Sequence, residues 1–197
     1  MILVLGIDGL LGQELFLELS KSSKVIGSSR KRSCANIIRY DFEDEISCLM
    51  SNYLPVRRVI ICAAISNVSE CETNPDYSNT INFVRTLEIV EEFSKRSIPS
   101  TVFSSEYVFD GSTGNYSERS NLTPCTKYGE QKAMLENEIL KLYPSTTILR
   151  ISKLASIRND KSFLHKMIGE ITKGSEYYAA IDQISSPINI IEPTINM

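Results

Sequence analysis

A doubly wound α/β fold around a parallel sheet is what this sequence predicts, on three observations. Short apolar runs alternate with amphipathic segments over residues 1–152, and loop residues bound each run. The first run feeds a glycine-spaced turn, Gly6-Ile7-Asp8-Gly9-Leu10-Leu11-Gly12, which opens a helical pattern. Strands that alternate with helices in this way build βαβ units and a parallel sheet.

The elements follow in order. ILVL is the first strand, and LLGQELFLELS the helix after it. KVIGS and ANIIRY are the second and third strands, followed by the helical segment FEDEISCLMSNY. VRRVIIC is the fourth strand, DYSNTINFVRTLEIVEEFSKR an amphipathic helix, and STVFSS the fifth strand. A helix covers Lys127 to Leu142, and TTILRI is the sixth strand. Beyond Ser152 the pattern weakens to one helix, SFLHKMIGEITK, and a polar tail. Residues 1–152 therefore read as one α/β unit, with 153–197 as a small appendage to it.

Composition excludes several classes. A length of 197 residues with 42% hydrophobic content suits one domain with a sizeable core. A net charge of −3 argues against a nucleic-acid partner, which calls for a basic stripe. No apolar run is long enough for a membrane span. The apolar start meets Gly6 and Asp8 without a basic leader, so a strand is expected rather than a signal peptide. Five cysteines without a CxxC pair fit free thiols in a reducing cytoplasm. No metal site is expected. His165 reads as ordinary helix surface or packing.

The glycine turn carries the first chemistry. Glycines at such a junction permit a sharp bend, let backbone N–H groups approach a pyrophosphate, and allow close helix packing, while the helix N-terminus favours negative charge. The spacing is GxxGxxG, a variant of the usual GxGxxG fingerprint, and purely steric use of glycine is the alternative. Where a Rossmann-like fold that prefers NADH carries an acid after the second strand, this chain has Gly27-Ser28-Ser29-Arg30-Lys31-Arg32. A hydroxyl followed by Arg30 suits a ribose 2′-phosphate, which points to NADPH, with NADH as the alternative. A solvated basic turn is the plainer reading. Asp41, with Phe42 beside it, is a candidate for the adenine edge or an exposed acid at a strand end.

The second chemistry is Tyr128-Gly-Glu-Gln-Lys132. Four residues of spacing place phenol and ammonium on one helix face. A nearby cation is expected to lower the phenol's pKa and ease proton exchange with a substrate oxygen. With nine tyrosines in the chain, such a pair can also arise by chance. A hydroxyl at the end of the fifth strand, in SSEYVFDG, would orient a carbonyl.

SSEYVFDGSTGNYSE followed by TPCTKYGEQKAMLENEIL resembles the STDYVFDG and YGxxK regions of the dTDP-4-dehydrorhamnose reductase family, within the extended short-chain dehydrogenases/reductases. The resemblance extends to Gly6, Gly9 and Gly12, to AAISNVSECETNP with Asn82 downstream, to ILRIS, and to Asp182-Gln183-Ile-Ser-Ser-Pro187. It implies Ser105 in place of the family's catalytic threonine, Tyr128 as proton donor and Lys132 as its partner, with Lys132 also holding the nicotinamide ribose. It further implies that Leu10, Leu11, Ala63 and Ala64 line the cofactor, and that Glu106, Tyr107 and Lys153 lie near a nucleotide-sugar substrate. Glu106 replaces an aspartate of the family pattern, and Lys153 replaces a tryptophan.

The resemblance thus implies an NADPH-dependent reductase of a nucleotide-linked 4-keto-6-deoxysugar, with a Rossmann-like NAD(P)-binding domain over 1–152, a truncated C-terminal substrate lobe over 153–197, and a second copy of the chain as a candidate partner. The alternative is a non-catalytic binding protein, since the same family contains a reductase-like regulatory subunit of methionine adenosyltransferase.

Overall fold

The computed structural model describes residues 1–51, 55–156, 159–176, 178 and 184–190. Its main sheet comprises β1 (Ile2–Leu5), β2 (Val25–Ser29), β3 (Ile37–Arg39), β4 (Arg58–Ile61), β5 (Ser100–Ser105) and β6 (Thr147–Ile151). The strand order is β3-β2-β1-β4-β5-β6 and every pairing is parallel. The order reverses between β1 and β4, where the carboxyl ends of the strands leave a crevice suited to ligands.

The strands lie here because both faces of the sheet are covered. Along β1, Leu3 and Leu5 join one apolar cluster while Val4 joins the other. Such strands read as nearly continuous apolar runs rather than as an alternation, which is why ILVL and RVII were legible. Helix α1 (Leu10–Leu19) packs on one face through Leu11 and Leu15. Helices α5 (Thr86–Lys95) and α6 (Lys127–Leu142) cover the other face through Ile89, Val90, Phe93, Leu135 and Ile139. Helix α2 (Ile46–Ser51) precedes β4.

Three features depart from the sequence reading. A helix α3 (Val68–Thr73) forms in a polar stretch that shows no apolar period. Its start is set by Asn67, whose side chain accepts from the Glu70 N–H at 3.2 Å. The expected single helix after β4 is α4 (Pro75–Asn79), a π-helical stretch (Thr80–Arg85) and α5 in succession, with Pro75 beginning α4. Finally, β7 (Leu154–Ala155) and β8 (Ile188–Asn189) form a small parallel sheet flanking α7 (Phe163–Thr172). Two-residue strands carry too little pattern to be read from sequence.

Candidate active site

The turn after β1 has three glycines with three different reasons. Gly6 holds φ +88°, and a Cβ there would lie 2.7 Å from the Ala63 nitrogen at the end of β4. A Cβ on Gly12 would lie 2.3 Å from the Gly6 carbonyl oxygen, so this glycine lets α1 press against the turn. Gly9 is different: its φ is −81° and a Cβ would meet nothing closer than 3.5 Å. The protein itself does not require glycine there. The open space faces the cleft, as a close approach of ligand to backbone requires.

That cleft has two compartments of about 380 Å³ each, which meet at Gly9, Cys62, Ala63, Ala64 and Ser66. The first is lined by Gly6, Arg30, Lys31, Asp41, Phe42 and Tyr77. The second is lined by Leu10, Leu11, Ser105, Tyr128, Lys132 and Lys153. An elongated, two-part crevice over a glycine turn and a helix N-terminus fits a dinucleotide.

Ser29, buried beneath the first compartment's rim and not lining it, does not play the part expected of it. Its hydroxyl donates to the Asp8 carboxylate at 2.8 Å, which also accepts the Arg30 N–H at 2.8 Å. The same hydroxyl accepts from Lys31 N at 3.1 Å, so it shapes the turn instead of facing a ligand. The cations that line the compartment are Arg30 and Lys31. Ser28, one residue earlier, accepts the Gly6 N–H at 3.0 Å and ties β2 to the glycine turn.

The floor between the compartments is held by Asn82, which is fully buried in the π-helical turn. It accepts the Ile65 N–H at 2.8 Å and donates to the Ile65 carbonyl at 3.0 Å, fixing the strand exit that carries Ala63 and Ala64. Its amide also donates to Gln131 at 2.8 Å, and Gln131 donates to Ser78 at 2.7 Å. Sequence reasoning named Asn82 without a task and omitted Gln131. Its position in TIN, on the apolar side of an amphipathic helix, was the available signal.

Ser105, Tyr128 and Lys132 come together in the second compartment. Ser105 ends β5, and its Oγ accepts the Tyr107 N–H at 3.3 Å. Thr126 caps α6 by accepting the Gly129 N–H at 3.1 Å, and the helix then carries Tyr128 and Lys132 into the cleft. The Tyr107 and Tyr128 rings meet edge to face at 5.9 Å.

The expected acidic shift of Tyr128 does not occur. Burial pushes the phenol up to about 12, with the Ser105 hydroxyl pulling the other way. Lys132 does not offset this, because its ammonium donates to the Phe103 carbonyl at 3.0 Å and is itself lowered to about 8 by burial. Glu136, one turn along α6, pulls Lys132 back up. Glu136 is held in turn by Arg150 at 2.6 Å, with a side-chain exposure of only 2%.

At the mouth of this compartment, burial raises the Glu106 carboxyl, while the Lys153 cation and backbone N–H lower it. The Lys153 ammonium sits 4.4 Å from the centroid of the Phe163 ring. Ser104, also lining the compartment, keeps a buried hydroxyl without a partner among the described residues. Of the late stretch singled out from sequence, Asp182 and Gln183 lie outside the described residues. Among the described residues no helix is long and apolar enough to cross a membrane.

Fold and cleft define a doubly wound α/β protein with a glycine turn at its topological switch point. The chain belongs to the RmlD substrate binding domain family, which matches residues 1–191. It is 32% identical over 169 residues to a probable low-salt glycan biosynthesis reductase, Agl14, of Haloferax volcanii, covering 82% of this chain and 56% of that one. It is 27% identical to methionine adenosyltransferase 2 subunit beta of Xenopus tropicalis, covering 77% and 46%. A hypothetical dTDP-4-dehydrorhamnose reductase from Sulfolobus tokodaii has a similar structure, with TM-score 0.86, 25% identity and coverage of 98% and 69%. The chain spans about half the length of the curated relatives it matches.

Proposed function

We propose that this chain is the cofactor-binding and catalytic portion of an NADPH-dependent reductase acting on a nucleotide-linked 4-keto-6-deoxysugar. The observation that carries the reading is the placement of Ser105, Tyr128 and Lys132 in one compartment that opens onto the glycine turn. The resident group fits: Gly9 leaves open space, α1 points its N-terminus into the cleft, and Arg30 and Lys31 line the end where a 2′-phosphate would sit. Residues 153–197 would belong to the sugar-binding lobe, with Glu106, Tyr107 and Lys153 facing the sugar. Free thiols suit a reducing cytoplasm.

Bound NADPH would supply the hydride. Tyr128 would donate its proton to the carbonyl oxygen, and a phenol held neutral to about pH 12 is in the donating form throughout the physiological range. Ser105 would hold that oxygen with its hydroxyl. Lys132, anchored on the Phe103 carbonyl, would place a positive charge beside the alkoxide as it forms.

The test is NADPH fluorescence on mixing the protein with dTDP-4-keto-6-deoxyglucose and its 3,5-epimerised form. Sugar-dependent consumption in the native chain, lowered at least about 100-fold in Tyr128→Phe, supports the reading. Binding of NADPH with no consumption of any 4-keto sugar nucleotide rejects it. That outcome would favour the second reading, a non-catalytic regulatory subunit, which the similarity to methionine adenosyltransferase 2 subunit beta supports.

A further inference from the structure

Lys161 lies just before α7, far from the glycine turn in sequence. Its ammonium nevertheless donates to the Asp8 carbonyl at 2.7 Å and to Gln13 Oε1 at 2.9 Å, at the start of α1. Neither contact neutralises it. The Asp8 carboxylate is turned to Ser29 and Arg30, and the Glu14 carboxylate accepts from Asn159 at 2.9 Å. The N-terminus of a helix already carries partial positive charge, so a cation there is electrostatically misplaced in the free protein. An anion shared between the ammonium and the open helix end removes the conflict.

The geometry points to Lys161 as a clamp on the pyrophosphate of the bound dinucleotide, supplied by the carboxyl-terminal segment. Lys161 lines the same compartment as Gly9, Leu10 and Leu11, where the phosphates would meet the helix. The compartment that holds Arg30 and Lys31 is not lined by it, so a 2′-phosphate is not its partner. Asn159 supports the arrangement by tying the same segment to Glu14. The segment after β6 thus contributes to cofactor binding as well as to any sugar site. This inference rests on the dinucleotide reading above and deepens it.

The test is a titration of the full chain with NADPH and NADH, followed by fluorescence at low salt, for the native protein, Lys161→Met, Lys161→Arg and Arg30→Ala. Because both cofactors share the pyrophosphate, Lys161→Met weakens both by the same factor, roughly tenfold. Added salt shrinks that factor, because the ammonium is exposed. Lys161→Arg retains affinity, and Arg30→Ala lowers NADPH selectively. Without ligand, Lys161→Met loses those two surface hydrogen bonds but keeps the native circular dichroism, so its lost affinity is not lost folding. Unchanged affinity in Lys161→Met, or a loss confined to NADPH, overturns the clamp while leaving the dinucleotide reading intact. Failure of the native chain to bind either cofactor overturns both.

Discussion

Asn82 Nδ2 donates to Gln131 Oε1 over 2.8 Å, joining the π-helical turn to the helix that carries Tyr128 and Lys132. Because Asn82 also takes both backbone groups of Ile65, one fully buried amide fixes the cofactor floor and the catalytic helix together. Replacing Asn82 by Leu removes the partner of the Ile65 N–H and of Gln131 Oε1, and leaves the Ile65 carbonyl with only the weak Cys71 thiol donor. A loss of about 3 kcal/mol is expected, read from the urea midpoint at constant slope. Cofactor affinity should fall as well, since Ala63 and Ala64 lose their anchor.

The glycines should separate stability from binding. In Gly12→Ala the new methyl collides with the Gly6 carbonyl, where the nearest approach is 2.3 Å, and about 3 kcal/mol of stability should be lost. Gly9→Ala meets no such contact and keeps an unstrained φ, so its thermal unfolding should stay close to native. Its NADPH affinity should nonetheless drop, because the methyl fills space facing the cleft. Calorimetric unfolding beside a cofactor titration distinguishes the two.

The pH dependence follows from Lys132. Its pKa is lowered to about 8, so the cation beside the reacting oxygen is lost as pH rises past that value. The log of kcat/KM should therefore fall above pH about 8, and Lys132→Met should be slower but lack this limb. Stability moves the other way: between about 8 and the ordinary value of 10.5, the unfolded chain binds more protons at this residue. Its contribution to folding rises with pH across that window. Tyr128, raised from 10.0 to about 12, acts in the opposite sense at higher pH, because the unfolded chain releases its proton first.

Arg150 donates to Glu136 through both its Nε, at 3.0 Å, and its Nη2, at 2.6 Å. It also donates to the Glu118 carbonyl at 3.2 Å and lies 5.2 Å from the Phe109 ring centroid, bracing the loop after β5. Arg150→Met should leave a buried carboxylate unpaired and cost about 3 kcal/mol. Adding Glu136→Leu should recover most of that loss, as a double-mutant cycle in urea would show.

The sheet was legible because parallel strands buried on both faces write themselves as apolar runs, and each of the six in the main sheet was read. The glycine turn and the Tyr128–Lys132 pair were legible for a related reason: both depend on spacing within one local element, and helix geometry alone sets which side chains share a face. The tasks of Ser29, Asn82 and Lys161 were not legible. Ser29 and Asp8 are 21 residues apart, and Lys161 and Asp8 are 153 apart. Nothing local distinguishes a serine that shapes a turn from one that faces a phosphate. The Tyr128 shift was missed for a different reason. Its sign depends on whether burial or the neighbouring cation prevails, and only the packed helix decides that, by burying the phenol and turning the ammonium to Phe103. Local chemistry set the fold class and the candidate residues; desolvation and long-range contact, which exist only after folding, set what each of them can do.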